Sequence, residues 1–285
     1  LFFVQSYGQA NITNYVFSSS SVTYTNISGT SIVSGGIAGG VNDNVYANFP
    51  IGFDFWYMGQ KYDRFSVSSN GWLALGAVIA DSAPTNNLVN GGTRPVIAPL
   101  WDDLALYPGL LIDGLIPGSM SYATTTGPVG SRVLTIQWDL VRWDRSSAVI
   151  LPTIVITFQA KLYENGNVQF VYKQEGGAIN NASASVGITS TGTGAGSFLS
   201  LNNLSSTASV SSTTETNTIA QKPVANQSYT FNPTELAAPS SLSFSRVGST
   251  GMRLNWTDNS TGEAGFVIYR SVDGGATYSY LATTP

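Results

Sequence analysis

The sequence of 285 residues contains neither cysteine nor histidine. No disulfide can therefore form, and no cysteine–histidine zinc site or histidine-dependent catalytic triad can be assembled. Charge is also scarce, because only 10% of the residues are charged and the formal net charge is −4. This balance gives no electrostatic basis for binding nucleic acid. No apolar run approaches the roughly 20 residues that a membrane helix needs, so we predict no transmembrane segment.

Aromatic and small residues take the place of the missing charge. The chain is 42% hydrophobic and 12% aromatic and carries 30 glycines, which is typical of strands joined by small polar turns and unlike a disordered chain. Alternation with period two recurs, as in 51–57, where the odd positions are Ile, Phe, Phe and Tyr. The strand pattern of 154–162 continues through Asn165-Gly166 into 168–173, which predicts a hairpin. We therefore predict an all-β, antiparallel, jelly-roll-like β-sandwich.

The N-terminal residues have two interpretations. Residues 1–4 are apolar and are followed by small and polar residues as far as Gln9, which is typical of the end of a secretory signal peptide. The positively charged start of such a peptide is absent, and the same residues fit an ordinary first strand. We assign 1–9 to a signal-peptide remnant, which predicts a secreted or cell-surface protein. Residues 10–233 are assigned to one β-sandwich domain.

The C-terminal segment carries a different pattern. Pro233 and Pro239 flank a short run dominated by small residues, so we assign 234–238 to a linker. From 239 to 285 the chain resembles the first half of a fibronectin type III domain, through 252–258, 263–271 and the turn at Asp273-Gly274-Gly275. This resemblance implies a partial immunoglobulin-like sandwich, and with it a fragment of a longer, multidomain protein.

The fibronectin resemblance also implies positions for individual side chains. Trp256 corresponds to the core tryptophan of the second strand, after the alternating Met252 and Leu254. Phe266 and Ile268 are expected to point inward. Modules of this kind are mostly spacers, so the resemblance assigns no activity.

The larger domain contains four further motifs: Pro50-Ile51-Gly52-Phe53-Asp54-Phe55, Val67-Ser68-Ser69-Asn70-Gly71-Trp72-Leu73, Ile97-Ala98-Pro99-Leu100-Trp101-Asp102-Asp103-Leu104 and Phe158-Gln159-Ala160-Lys161-Leu162-Tyr163. These motifs resemble secreted bacterial β-sandwich modules, which stand beside fibronectin modules in large surface proteins, often of Bacteroidetes. Their order is also similar to that of the extracellular domain of nidogen-like adhesion proteins. The resemblance implies an adhesive context and transfers no functional residue.

Carboxylates are the remaining candidates for chemistry. Asp139 and Asp144 lie beside Trp138 and Trp143, an arrangement that glycosidases use, with paired carboxylates and an aromatic floor for the sugar. The alternative, which we favour, is that these acids pair with neighbouring arginines at the surface. No catalytic motif is present, and we predict that the domain is not an enzyme.

Two adjacent acids suggest a second kind of site. Asp102 and Asp103 could supply oxygen ligands to Ca²⁺, although the sequence has no repeated Asp-x-Asp-x-Asp-Gly loop. The favoured alternative is that Asp102 accepts backbone N–H bonds in the turn that follows 99–101. We predict no other cofactor.

Tryptophans are the candidates for ligand contact. Trp and Tyr combine apolar area with a polar tip and are enriched at interfaces, although a Trp in a sandwich is more often part of the core. Trp72 is expected to pack inward. The candidate ligand-binding residues are Trp56, Trp101, Trp138, Trp143, Asp139 and Asp144.

The sequence thus favours a non-catalytic extracellular module of a larger surface protein. We expect it to act in adhesion or in binding an extracellular polysaccharide or a surface protein. The alternative is an accessory region of a secreted hydrolase, either a glycosidase or a peptidase, with its catalytic domain outside 1–285.

Overall fold

The structure is a computed structural model, and it describes residues 1–9, 11–35, 41–106, 116–143, 154–179, 181–234, 236–260 and 263–284. The described chain is almost entirely β-structure, with a single short 3₁₀ helix at Ile12–Asn14. Every paired strand is antiparallel. The predicted all-β, antiparallel fold class is confirmed. None of the described segments forms a helix long and apolar enough to cross a membrane.

A nine-stranded sheet forms one layer of the sandwich. Its main path runs β2-β17-β13-β12-β11-β10-β3, and two short strands join it, β9 pairing with β11 and β4 with β9. Strands are numbered in chain order. Those of this sheet are β2 (Tyr15–Ser21), β3 (Thr30–Ser34), β4 (Val41–Asn42), β9 (Ala105–Leu106), β10 (Ser119–Thr124), β11 (Val133–Arg142), β12 (Ile156–Tyr163), β13 (Val168–Gln174) and β17 (Gln227–Pro233).

A seven-stranded sheet forms the opposite layer, in the order β16-β15-β14-β8-β7-β6-β5. Its centre is the meander β6-β7-β8, which includes two of the sequence motifs. The strands are β5 (Val45–Tyr57), β6 (Gln60–Ser68), β7 (Trp72–Leu75), β8 (Val96–Trp101), β14 (Ser185–Thr189), β15 (Phe198–Leu201) and β16 (Val210–Ser211).

The main hydrophobic core lies between the two sheets. It includes the predicted odd-numbered face of β5, whose Ile51, Phe53, Phe55 and Tyr57 are all buried. The facing layer contributes large aromatic side chains from β11, β12 and β13. Fully burying each such ring stabilises the fold by roughly 1.5–3 kcal/mol. Hydrogen bonds also cross the core, for example from the Tyr172 hydroxyl to the Pro99 carbonyl at 2.6 Å.

The predicted hairpin is confirmed. β12 and β13 pair in an unbroken register from Ile156↔Gln174 to Leu162↔Val168. The turn between them contains Gly166 at a φ of +93°, a conformation that glycine adopts without steric cost. The even-numbered side chains of β12 face the core, and the odd-numbered ones form a polar row on the outer side of the sheet.

The C-terminal strands form two small sheets. β18 (Ser240–Val247) pairs with β19 (Gly251–Thr257), and β20 (Glu263–Arg270) pairs with β21 (Ser279–Thr284). β1 (Phe2–Gln9) pairs with the other edge of β20, from Phe2↔Arg270 to Gln9↔Glu263. The N-terminal residues therefore form a strand in this structure. Their assignment as a signal-peptide remnant stays a prediction, as do the domain boundaries.

A small apolar cluster joins β1 to the C-terminal strands. Val4, Phe266 and Ile268 are buried together, and Trp256 packs against them. The Trp256 and Phe266 rings meet edge to face with centroids 5.3 Å apart. The inward positions expected for Phe266 and Ile268 are confirmed. Met252 was expected on the core face with Trp256 but is 52% exposed, because the two-stranded sheet has no cover over that position.

Candidate functional site

Two of the sequence motifs meet at one end of the sandwich. The Asn70–Gly71 turn follows β6, and the Leu100 N–H donates to the Gly71 carbonyl at 3.2 Å. The buried Asn70 amide bridges three segments, since its Nδ2 donates to Asp43 Oδ1 at 2.9 Å and its Oδ1 accepts from the Leu104 N–H at 3.0 Å. These motifs therefore build a shared structural junction.

Asp102 lies at the centre of this junction and is completely buried. Its Oδ2 accepts from Trp143 Nε1 at 2.7 Å and from the Ser183 N–H at 2.6 Å, while Oδ1 accepts from the Asp103 N–H at 2.9 Å. Charge-assisted bonds of this kind are what allow a carboxylate to be buried. The Asp103 N–H bond is the turn contact predicted for Asp102, whereas the Ser183 N–H comes from a distant segment.

This geometry argues against the alternative calcium role of Asp102. Indole and backbone N–H groups already occupy both carboxylate oxygens, and these donors would repel a cation at the same positions. The adjacent Asp103 is half-buried. Within the described residues, no cluster of three or more acidic side chains has the arrangement of a metal site.

Three of the four candidate tryptophans lie in the interior. Trp101, Trp138 and Trp143 have no exposed surface, so their ring faces are not available to stack on a sugar, and their prediction as surface contacts is wrong. Each indole N–H is bonded within the protein: Trp101 to the Ala83 carbonyl, Trp138 to the Ser68 carbonyl and Trp143 to Asp102. Trp56 is half-buried on β5.

A second, smaller core lies on the outer side of the seven-stranded sheet. Trp72 and Trp101 stack there with ring centroids 5.1 Å apart. Their indole groups donate to the carbonyls of Ser82 and Ala83, which belong to the long segment 76–95. Trp72 is buried as expected, but beneath this segment rather than between the sheets.

Asp139 stands on the outer face of the nine-stranded sheet, at a β-bulge. Trp138 pairs with Phe158 and Val141 with Ile156, so Asp139 and Leu140 together oppose Thr157. Asp139 Oδ1 lies 3.1 Å from the Thr157 hydroxyl. The arginines expected to pair with Asp139 were Arg142 and Arg145. Arg145 lies outside the described residues, so this pairing stays a prediction. Asp144 lies outside the described residues.

A carboxylate that sequence reasoning missed lies on the other side of Thr157. Glu175 Oε1 is 3.0 Å from the same hydroxyl and 2.7 Å from Lys173 Nζ. Burial raises the pKa of Asp139, and the negative charge of Glu175 adds to this effect, while the Thr157 hydrogen bond and Lys173 partly oppose it. The period-two pattern places Thr157 on the outer face, but nothing local in the sequence indicates that Glu175, directly after β13, lies beside it.

An open groove of about 450 Å³ lies at the surface of the sandwich. It lies where β3 and β10 of one sheet approach β5 of the other. Its walls carry hydroxyl groups, one aromatic ring and no charged side chain. The lining residues are Ser28, Gly29, Thr30, Pro50, Gly52, Tyr122, Ala123 and Thr124.

Comparison with known proteins adds one finding. The family model described as "NIDO related" matches residues 14–233, which covers both sheets of the sandwich and the motif junction. No curated protein and no solved structure matches the chain. The matched region is well over half of the sequence, and the chain therefore belongs to the NIDO-related family.

Proposed function

We propose that this chain is a non-catalytic adhesion module of a secreted or cell-surface protein. Membership of the NIDO-related family is the observation that carries the proposal. The bonding of the carboxylates supports it, because Asp102 is buried and fully engaged and Asp139 is tied to a strand hydroxyl. Asp102 and Asp139 are thus bonded within the fold, whereas the acids of a glycosidase face an open sugar site.

The groove at the sheet edges is the contact site that we propose. Its hydroxyl groups, the ring of Tyr122 and the absence of charge on its lining residues suit a neutral polysaccharide, which binds through hydroxyl hydrogen bonds and ring stacking. A surface protein is the alternative ligand. The half-buried Trp56 on β5 remains a second candidate for contact.

The C-terminal strands fit a fibronectin type III spacer in the same proposal. Such a module would hold the NIDO-related domain away from the cell surface of a bacterial multidomain protein. The alternative role, as an accessory region of a secreted hydrolase, places the same binding groove beside a catalytic domain elsewhere in a longer chain.

A glycan array followed by calorimetry tests the proposal. Wild-type protein is expected to bind a neutral glycan without hydrolysing it. Thr30→Arg places a long charged side chain in the groove and should weaken binding at least tenfold. Thr193→Arg makes the same change on the exposed β14–β15 turn, at the other side of the seven-stranded sheet, and should bind as wild type does.

Three outcomes would contradict parts of the proposal. Equal loss of binding in both arginine variants would exclude the groove as the contact site. Binding to a surface protein and to no glycan would replace the ligand class. Turnover of a glycan that is lost in Asp139→Asn would overturn the non-catalytic assignment.

A further inference from the structure

The Thr157 hydroxyl makes more contacts than one proton can satisfy. Thr157 is completely buried, and its Oγ1 accepts from the Leu140 N–H at 2.9 Å while lying 3.1 Å from Asp139 Oδ1 and 3.0 Å from Glu175 Oε1. A hydroxyl has one hydrogen to donate and two lone pairs. It can therefore donate to one carboxylate only, and its remaining lone pair would repel a second ionised carboxylate at this distance.

The neighbouring charges decide which carboxyl keeps its negative charge. Lys173 Nζ lies 2.7 Å from Glu175 Oε1, so an ion pair favours the ionised form of Glu175. Asp139 faces the neutral hydroxyl of Thr157 and feels the charges of Lys173, on β13, and of Glu175, directly after β13. Further neighbours within the described part of the chain are the Tyr24 side chain of the segment after β2, which feels the charge of Asp139, and Lys222, whose Nζ donates to the Glu175 carbonyl.

We infer that Asp139 and Glu175 share a single proton through Thr157, with Asp139 as the carboxylic acid and Glu175 as the carboxylate. Asp139 donates to Thr157 Oγ1, and Thr157 donates to Glu175 Oε1. All three contacts of the hydroxyl are then attractive. This proton-binding site links β11, β12 and β13 on the outer face of the nine-stranded sheet, and it is independent of the proposed adhesion function.

The site makes the sheet respond to pH. A carboxyl whose pKa is higher in the folded than in the unfolded protein binds more protons when folded, so its contribution favours folding at low pH and is lost as pH rises through the folded-state pKa. Asp139 fits this case, because burial raises its pKa in the folded protein. The segment 22–29 covers the same face of the sheet, and the Tyr24 hydroxyl donates there to Gln137 Oε1 at 3.1 Å. The shared proton therefore stabilises the part of the sheet that lies beneath this segment.

Carboxyl-carbon NMR titration of the whole chain tests the inference directly. The carboxyl of Asp139 is expected to titrate at least one pH unit above the value of about 3.9 for a free aspartate. A titration at or below that value would overturn the inference. This measurement needs only the wild-type protein.

Thermal unfolding at pH 5 and pH 7 provides a second test. The amide of Asp139→Asn can donate to Thr157 at every pH, so the difference in melting temperature between this variant and wild type should shrink as pH falls. Glu164→Gln is the control, because an arginine holds Glu164 ionised, and its difference from wild type should not shrink over this range. A constant difference for Asp139→Asn would contradict proton sharing.

Discussion

At the scale of single residues, polar side chains in this protein mainly fasten the sandwich. Asp102 illustrates this, because a buried carboxylate costs several kcal/mol unless donors surround it. Trp143 and the Ser183 backbone supply two of those donors from distant parts of the chain. The four fully buried tryptophans thus act as hydrogen-bond donors as well as core side chains.

The first prediction separates the two roles of a buried tryptophan. Trp143→Phe removes a donor to the Asp102 carboxylate, whereas Trp138→Phe removes a donor to the neutral Ser68 carbonyl. Both residues are completely buried. Because hydrogen bonds to charged groups are the stronger ones, we expect Trp143→Phe to cost about 1 kcal/mol more in urea unfolding. Equal losses in the free energy of unfolding would show that the bond to Asp102 is no stronger than the bond to the Ser68 carbonyl.

The second prediction concerns the Asn70–Gly71 turn. Gly71 has a φ of +74°, and a Cβ there would lie 1.9 Å from the Leu100 carbonyl oxygen. Gly71→Ala should therefore lower the free energy of unfolding by about 3 kcal/mol or more. Gly130→Ala is the matched control, because Gly130 has a φ of +91° with open space around it. The free energy of unfolding of the Gly130→Ala control should fall by only about 1 kcal/mol. Similar losses in the two variants would show that contact with the Leu100 carbonyl does not cause the destabilisation of Gly71→Ala.

At the scale of elements, the hairpin of β12 and β13 is tied to the start of β11. Arg132 Nε donates to Glu164 Oε2 at 2.9 Å, and its NH2 group donates to Glu164 Oε1. The Arg132 guanidinium also lies 5.6 Å from the ring of Phe53 on the facing sheet. Burial alone would raise the pKa of Glu164, but the Arg132 bonds outweigh it and lower that pKa.

The third prediction follows from the sign of that shift. A carboxyl with a lowered pKa in the folded state stabilises the fold above its unfolded-state pKa, and this contribution is lost as pH falls through the folded-state value. Glu164→Gln should therefore be about 1.5–3 kcal/mol less stable than wild type at pH 7. The gap should narrow below about pH 4, where free glutamates become protonated. Denaturant unfolding between pH 7 and pH values below about 4 measures this difference in stability. A difference that does not change with pH would contradict the ion pair between Arg132 and Glu164.

At the scale of the whole molecule, strands from distant parts of the sequence pair with each other. β1 forms an edge strand beside β20, although some 250 residues separate them along the chain. The Leu1 backbone nitrogen donates to the Ser271 carbonyl at 3.1 Å, and the Ser271 N–H donates back to the Leu1 carbonyl at 2.8 Å. The family match at 14–233 begins after this strand.

The fourth prediction tests whether β1 supports only the C-terminal strands. Deletion of residues 1–9 removes the partner of β20 and exposes the cluster that contains Phe266 and Ile268. Hydrogen exchange should then accelerate across 263–270, whereas the sandwich strand 156–163 should exchange as it does in the full chain. Equal acceleration in both segments would show that β1 stabilises the sandwich as well.

The sequence by itself determined the all-β class of this fold and the hairpin of β12 and β13. Alternation along β5 and β12 assigns each side chain to one face, and Asn165-Gly166 selects the turn, because these are local properties of the backbone. The motifs also pointed to the family. The same alternation does not show which outer sheet faces are covered by other parts of the chain, because the covering segments, such as 22–29 and 76–95, are distant in the sequence.

Only the tertiary structure decided what the candidate residues do. Burial of Trp101, Trp138 and Trp143 depends on packing against strands far away in the sequence. Sharing of Thr157 by Asp139 and Glu175 depends on a bulge and on the register between three strands. Such contacts join residues that are far apart in the sequence. The alternation within a single strand gives no information about which distant residue will lie beside it.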